Sequence, residues 1–193
     1  MRFGVDIDDT IADTCEIICV YAYDYTMNVL KREVKFNFCA CSQHDYTKRI
    51  FGWTDEESDE FWNLYLDKIF LKVKPFTLCA EYLKKLKDEK NEIIFITARY
   101  GENVEKMTKE WLEKNNILYD KLIINAQNKG KIALDNKIDI FIDDSLQNCM
   151  EVSKVGVKSF LMNSRTNGDL ETGKITRVYN WLDIYSRVHK EIK

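Results

Sequence analysis

Short apolar runs that alternate with helical patterns constrain the fold of this chain more than any other feature. The runs are rich in Ile, Val and Phe and largely unalternated, as strands covered on both faces are. We predict strands at Arg2–Ile7, Glu92–Thr97, Lys121–Ile124, Asp139–Ile142 and Val157–Met162. Strands that alternate with helices favour an α/β fold, in this case a three-layer αβα, Rossmann-like parallel sheet.

Helical spacing of apolar residues fills the segments between these runs. Apolar side chains recur every three or four positions over residues 78–86 and 104–112, and shorter patterns cover 130–136 and 146–154. The helices are therefore expected to cover both faces of the sheet.

One long stretch, residues 14–75, contains no convincing strand and fits two long helices instead. We predict that it forms a small helical cap inserted after the first strand. Residues 1–13 and 76–193 then form the α/β core domain. Pro75 closes the insertion, since a helix usually ends before the residue that precedes a proline.

The insertion is dense in aromatic residues, and two interpretations are open. A helical pair of this composition more often packs its aromatics into a core of its own than presents them to a nucleobase. A base that stacks on this protein would nevertheless stack here, because a cap supplies selectivity and excludes water. The aromatics concerned are Tyr21, Tyr23, Tyr25, Phe36, Phe38, Trp53, Phe61 and Trp62.

Charge and hydropathy exclude several classes of protein. A formal net charge of −3 gives no electrostatic basis for binding long nucleic acids or an anionic membrane. No segment is apolar and long enough to span a bilayer, and the first residues lack a signal pattern. We therefore expect a cytoplasmic protein, and nothing in the sequence indicates its oligomeric state.

The six cysteines suggest neither disulfides nor zinc. In a reducing compartment they are small apolar residues or free thiols. Cys39, Cys41 and His44 are crowded together, but the paired C-x₂-C halves of a zinc site are absent.

Polar residues follow the predicted strands, where ligands bind in an open parallel sheet. Asp6, Asp8, Asp9 and Thr10 follow the first strand, Thr97, Ala98 and Arg99 the second, Asp143, Asp144 and Ser145 the fourth, and Lys129 and Lys131 begin a short helix. Several carboxylates at one rim can hold Mg²⁺, and a lysine can offset the charge of a phosphate. One acid can attack phosphorus while a second transfers a proton.

Each of these segments also has a structural interpretation when it is considered alone. Asp and Thr are good helix caps, so the Asp6–Thr10 run could be a capped turn, and Asp143-Asp144-Ser145 could cap the next helix. Their joint order at successive strand ends favours a metal-dependent phosphoryl site.

These segments resemble the four motifs of the haloacid dehalogenase-like (HAD) phosphatases. Four segments occur in the order that these motifs have. They are Asp6-Ile7-Asp8-Asp9-Thr10, Phe95-Ile96-Thr97-Ala98-Arg99, a lysine near position 130 and Phe141-Ile142-Asp143-Asp144-Ser145. The short insertion, the aspartate pair and the tail Arg177-Val178-Tyr179-Asn180-Trp181 are similar to the cytosolic 5′-nucleotidase type C branch. The resemblance implies a HAD-like core with a cap after the first strand.

The resemblance also implies roles for individual residues. Asp6 is the implied nucleophile and a metal ligand, and Asp8 the implied general acid/base, with its carbonyl on Mg²⁺. Asp143 and Asp144 complete the metal shell, one directly and one through water. Thr97 holds the phosphoryl oxygens, and Lys129 neutralises the phosphate and positions Asp6.

Three further positions carry open questions. Lys131 is the alternative to Lys129. Asn148 stands where many relatives have a further acid, a change we expect to be harmless because Asp143 and Asp144 are both present. Arg99 could contact the substrate or form a salt bridge with a nearby acid.

The implied function is Mg²⁺-dependent hydrolysis of a small phosphomonoester through an aspartyl phosphate. A nucleoside 5′-monophosphate is the first candidate substrate. The alternatives are a phosphosugar phosphatase, a nucleic-acid-end phosphatase, a phosphotransferase, or a non-catalytic protein that binds phosphate ligands. The last should have lost one of the motif residues, and all of them are present.

Overall fold

Six strands form the sheet in the computed structural model, which describes residues 1–34 and 46–191. The strands are β1 Arg2–Val5, β2 Glu92–Ile96, β3 Lys121–Ile123, β4 Ile140–Asp143, β5 Lys158–Met162 and β6 Thr176–Val178. The five predicted strands are confirmed to within two residues at each end. The sixth is not predicted, because three residues at a sheet edge make no apolar run.

All neighbouring strands are parallel, in the order β3-β2-β1-β4-β5-β6. Val5 at the end of β1 pairs with Phe95 on one side and with Ile142 on the other. Strand order reverses between β1 and β4, so the loops that follow these two strands leave in opposite directions. A crevice for a ligand is expected at such a point.

The described part of the chain contains eight α-helices. They are α1 Thr14–Asp24, α2 Tyr46–Phe51, α3 Asp55–Lys72, α4 Cys79–Asp88, α5 Val104–Lys114, α6 Lys129–Asp135, α7 Leu146–Lys154 and α8 Trp181–Glu191. A π-helical segment, Tyr25–Val29, continues α1.

Alternate side chains of the strands pack into two separate cores. Ile93 and Phe95 of β2 pack with buried residues of α4, α5 and α8, whereas Ile94 and Ile96 pack with residues of α6 and α7. Strand β2 is thus covered on both faces, which explains its unalternated sequence. The predicted three-layer αβα fold is confirmed.

The helices α1 to α3 lie between the first and second strands. The chain leaves and returns at one place, where the Asp13 N–H donates to the Lys74 carbonyl (2.9 Å) and the Phe76 N–H to the Ile11 carbonyl (2.8 Å). The division of the chain into an insertion over residues 14–75 and a core domain stays a prediction. The Thr54 hydroxyl and Glu57 carboxylate form a capping box that starts α3.

Several insertion aromatics form a core rather than an exposed platform. Tyr25, Trp53 and Phe61 are buried together, and Trp53 Nε1 donates to the hydroxyl of Thr26 (2.9 Å). Tyr23 is exposed. Met107 of α5 belongs to this same cluster, so the insertion packs directly on the core domain.

Other residues singled out in the sequence lie outside the described residues, namely Phe36, Phe38, Cys39, Cys41 and His44. Of the cysteines that are described, Cys79 and Cys149 are buried thiols. No helix among residues 1–34 and 46–191 has the length and apolar character needed to cross a membrane.

Candidate active site

The backbone of β1 and β4 brings the first and fourth motifs together. Asp6 comes directly after β1, and its N–H donates to the carbonyl of Ile142 in β4 (2.9 Å). Asp143 is the last residue of β4 and is fully buried. The two carboxylates therefore meet at the point where the strand order reverses.

Lys129 joins these two acids. Its Nζ donates to Asp6 Oδ1 at 2.5 Å and to Asp143 Oδ2 at 2.7 Å, and its side chain is 3% exposed. Lys131, the alternative from the sequence, is exposed on α6 and pairs with Asp135. Of the two candidate lysines, the structure brings only Lys129 to the acids.

The position of Lys129 depends on close packing of α6 against α7. A Cβ on Gly130 would lie 3.0 Å from the carbonyl oxygen of Glu151 in α7. Glycine is required for this approach, because a backbone oxygen cannot move aside easily. The Asn128 side chain caps α6 by accepting from the N–H of Lys131 (2.8 Å), which fixes where the helix begins.

Asp143 has all the hydrogen-bond donors that a buried carboxylate needs. Besides Lys129, the Ser145 N–H donates to Oδ1 (2.7 Å), and Asn148 Nδ2 donates to both oxygens (3.2 and 3.1 Å). Asn148 thus has a specific role where an additional acid was considered. Ser145 does cap α7 by accepting from the N–H of Asn148 (3.3 Å), so the capping interpretation holds for Ser145 alone.

Asp144 lies beside the pair and is half-buried. One carboxylate oxygen from each of Asp6, Asp143 and Asp144 lies within 4.8 Å of the others. Within residues 1–34 and 46–191, no hydrogen bond reaches the Asp144 carboxylate. Its backbone carbonyl accepts from Asn167 Nδ2 (2.6 Å), and Arg177 Nη1 holds Asn167 Oδ1 (2.7 Å). The tail that resembles the nucleotidases therefore supports this motif, a link that sequence spacing does not reveal.

Crowding of the acids changes their protonation. Burial raises the pKa of Asp6 to about 8, an effect that Lys129 opposes and that Asp143 and Asp8 reinforce. Burial also raises the pKa of Asp144 well above its usual range, with Asp143 adding to the rise. Burial alone would lower the pKa of Lys129, but its acid partners raise it overall. One lysine does not balance the three acids, so the cluster can accept a hard cation with oxygen ligands.

Asp8 lies near this cluster but has different partners. Arg99 forms a two-point salt bridge to its carboxylate, with Nη2 to Oδ1 at 2.7 Å and Nε to Oδ2 at 2.9 Å. Burial would raise the pKa of Asp8, yet the Arg99 charge holds it below its usual range. Of the two possibilities left open for Arg99, the structure shows the salt bridge.

The turn after Asp8 is held by its own backbone. The N–H groups of Ile11 and Ala12 donate to the carbonyl of Ile7 (2.9 and 3.0 Å), and Asp9 adopts a left-handed conformation with φ of 52°. Asp tolerates this conformation better than most residues. Asp9 also accepts from the N–H of Cys15 at the start of α1 (2.8 Å). The capped-turn interpretation therefore applies to Asp9, while Asp6 and Asp8 face the other motif residues.

Thr97 follows β2, next to β1 in the sheet. It is 1% exposed, and its Oγ1 accepts from the N–H of Arg99 (3.2 Å), which leaves its hydroxyl proton available for another acceptor. Its carbonyl accepts from the N–H of Ala126 (3.0 Å), which ties the loop after β2 to the loop after β3. Thr97 thus lies at the same rim as Asp6.

Known proteins match this chain along its full length. A family profile described as 5′ nucleotidase, deoxy (pyrimidine), cytosolic type C protein matches residues 1–192. A nucleotidase from Clostridium acetobutylicum is 29% identical over 191 residues, which cover 98% of this chain and 94% of that protein.

Solved structures agree on the fold. A haloacid dehalogenase-like hydrolase from Streptococcus pneumoniae has a TM-score of 0.67 at 12% identity, over 97% of both chains. A Bacillus subtilis protein described as a HAD hydrolase, bound to magnesium, has a TM-score of 0.68 at 10% identity, over 97% of this chain and 98% of that one. The chain is a haloacid dehalogenase-like phosphatase and belongs to the cytosolic type C 5′ nucleotidase family.

Proposed function

We propose that this protein is a Mg²⁺-dependent phosphomonoester hydrolase that acts through an aspartyl phosphate. Its substrate is a small phosphorylated metabolite, with a nucleoside 5′-monophosphate as the first candidate. The observation that carries the proposal is the placement of Lys129 between Asp6 and Asp143, with Asp144 within 4.8 Å. A simple structural pair of acids would not explain three acids and a buried lysine at the point where the strand order reverses.

The donor set fits magnesium. The three acids offer only oxygen ligands, which Mg²⁺ prefers. Burial, with repulsion between the acids, raises the pKa values of Asp6 and Asp144, and a bound cation would favour their ionised forms. Asp6, Asp144 and the carbonyl of Asp8 would hold the ion. Asp143 would act through water, because its oxygens already accept from Lys129, Ser145 and Asn148. The bound ion would offset the charge of the substrate phosphate.

The proposed chemistry uses two acids in turn. An oxygen of Asp6 attacks phosphorus while the bond from phosphorus to the leaving oxygen breaks. Asp8 takes up a proton when the negatively charged phosphate binds beside it and offsets the Arg99 charge, and it then gives that proton to the leaving oxygen. Asp8 then takes a proton from the water that attacks the aspartyl phosphate, which releases inorganic phosphate and restores both acids. Lys129 holds Asp6 in place, and the Thr97 hydroxyl donates to a phosphoryl oxygen.

A nucleotide leads the range of candidate substrates for two reasons. The family description and the name of the Clostridium relative both refer to nucleotidases. A small helical insertion also favours a compact substrate over a polymer, in keeping with the weak net charge.

A substrate panel tests the proposal directly. Purified protein is assayed for phosphate release from nucleoside 5′-monophosphates, 3′-monophosphates, sugar phosphates and a 5′-phosphorylated oligonucleotide, each with Mg²⁺ or with a chelator. We expect turnover only with Mg²⁺ and the highest kcat/KM on a nucleoside 5′-monophosphate. Equal rates with the chelator would contradict the metal dependence. Preference for sugar phosphates or oligonucleotide ends would reject the nucleotide assignment.

Magnesium should stabilise the protein more at pH 8 than at pH 6. Burial raises the pKa of Asp6 from 3.8 to about 8. Between these two pH values the unfolded chain ionises this acid while the folded, metal-free protein keeps its proton, so the folded protein loses stability as the pH rises. The cation removes that cost, and its binding displaces protons from the site. At 100 times its Kd it should add about 2.7 kcal/mol, or roughly 5–10 °C in Tm.

Thermal unfolding at both pH values, with Mg²⁺ or with chelator, measures this effect. The matched variant is Asp144→Asn, which removes an acid without a hydrogen-bonded partner among the described residues and should lose most of the Mg²⁺ shift. A shift that is larger at pH 6, or one that Asp144→Asn retains in full, would contradict the assignment of this site.

A further inference from the structure

The Asp8 carboxylate is held by three donor groups from two parts of the chain. Arg99 Nη2 and Nε both reach Oδ1, at 2.7 and 3.2 Å, and Arg99 Nε reaches Oδ2 at 2.9 Å. The Thr14 hydroxyl at the start of α1 donates to Oδ1 at 2.7 Å. A planar guanidinium that bonds both oxygens fixes the plane of the carboxylate as well as its position.

These contacts distinguish the two oxygens of Asp8. Oδ1 accepts from Arg99 Nη2, Arg99 Nε and the Thr14 hydroxyl, so its acceptor capacity is filled. Oδ2 accepts only from Arg99 Nε among the described residues, which leaves a lone pair for a proton. The oxygen that can exchange a proton with a substrate is therefore Oδ2.

Arg99 itself is fixed on its other sides and is closed to substrate. Its side chain is 1% exposed. The guanidinium carbon lies 4.1 Å from the centre of the Phe70 ring, which belongs to α3 of the insertion, and Nη1 donates to the Thr108 hydroxyl on α5 (3.4 Å). A cation stacked on an aromatic ring and bonded to two partners holds a single orientation.

We propose that Arg99 is a positioning residue, which with Thr14 orients Asp8 so that Oδ2 transfers the proton to the leaving oxygen. This inference rests on the proposed function. As the bond from Asp6 to phosphorus forms and the bond to the leaving oxygen breaks, the proton moves from Oδ2 to that oxygen. Arg99 touches neither the substrate nor the metal. Thr14 and Phe70 belong to the insertion. The packing of the insertion on the core domain therefore determines which Asp8 oxygen faces the leaving oxygen.

The leaving group provides the test. A nucleoside leaves as an alkoxide and needs the proton, whereas p-nitrophenolate departs without one. The parameter kcat/KM reports the steps up to release of the leaving group. In Arg99→Met, which keeps the packing against Phe70, we expect kcat/KM to fall about 100-fold for the best alkyl phosphate of the panel. For p-nitrophenyl phosphate we expect a fall of less than about tenfold, with KM little changed for either substrate.

Controls separate this effect from misfolding and from failure of the proposed function. A partly unfolded preparation loses both activities equally, so the ratio of the two kcat/KM values is the readout. Thr14→Val is a second, isosteric variant and should shift the ratio in the same direction by a smaller factor. Arg187→Met, in a surface pair with Asp183 on α8, should leave the ratio unchanged.

Three results would overturn the proposal. Equal losses on both substrates would show that Arg99 does not act through proton transfer. A rise in KM with unchanged kcat would make Arg99 a binding residue. Losses in Arg99→Met and Asp8→Asn that add fully in the double variant would show that the two residues act independently. By contrast, a wild-type protein without turnover, or an Asp6→Asn variant that keeps it, would reject the proposed function itself.

Discussion

Replacing Asp6 by Asn should reduce phosphate release by at least about 10⁴-fold while the protein stays folded. The amide has the shape of the carboxylate but cannot attack phosphorus to form an acyl phosphate. Its neighbours Asp143 and Asp144 are acids within 4.8 Å, so loss of one acid also reduces the crowding of carboxylates in the site. We therefore expect the Tm of the metal-free variant to equal or exceed that of the wild type, as happens when a strained active site is neutralised.

Two measurements make this prediction sharp. Phosphate release is assayed on the best substrate of the panel, and the acid-quenched protein is weighed by mass spectrometry for a retained phosphoryl group. The wild type should carry that group during turnover and Asp6→Asn should not. Asp139→Asn, an exposed acid at the opposite end of β4, should behave as the wild type. An active Asp6→Asn protein, or one that is still phosphorylated, would contradict the aspartyl-phosphate mechanism.

Local sequence pattern is enough to predict the sheet and the rim on which the site is built. Strands buried on both faces must be apolar throughout, and in a parallel sheet their carboxyl ends share one edge. Those two facts are sufficient to place Asp6, Thr97 and Asp143 at the same rim. The edge strand Thr176–Val178 gives no such signal, because two of its three residues are only half-buried.

The partners of these residues could not be predicted, because they depend on side-chain direction across long separations in the chain. Arg99 lies 91 positions from Asp8, and Asn167 lies 23 from Asp144. In the sequence, Asn148 stands where an additional acid was considered. In the structure, its side-chain amide donates to Asp143. Spacing identifies which residues reach a rim, but only packing decides which of them touch.

In the insertion, too, the sequence pattern predicts which residues are buried but not which residues they contact. Its aromatic content predicts a small core, and Tyr25, Trp53 and Phe61 form one. The sequence does not reveal that Met107 of the core domain joins that cluster or that Phe70 stacks on Arg99. Those contacts connect the insertion to Asp8, and they depend on how α3 lies against α5.

Replacing Lys129 by Met should lower kcat/KM by about 10³-fold, whereas Lys131→Met should leave it unchanged. Lys129 donates to Asp6 and Asp143 in a site closed to water, so its loss removes both the alignment of the nucleophile and a positive charge beside the phosphate. Lys131 pairs with Asp135 on the exposed face of α6. The two residues share a helix and a charge, which makes Lys131→Met a matched control.

Lys129→Met should also have a lower free energy of unfolding than the wild type, because Lys129 offsets the charge of two buried acids. Without Lys129, Asp6 and Asp143 are buried acids with no cation between them, and breaking a buried pair costs about 3–5 kcal/mol. Protonation of the acids relieves this cost, so the stability lost by Lys129→Met should be small near pH 5 and should grow as the pH rises to 8. Denaturant unfolding in chelator at both pH values measures it. A loss of stability that does not depend on pH would mean that Lys129 stabilises the fold by packing alone. Reduced turnover in Lys131→Met would mean that the wrong lysine has been assigned to the phosphate.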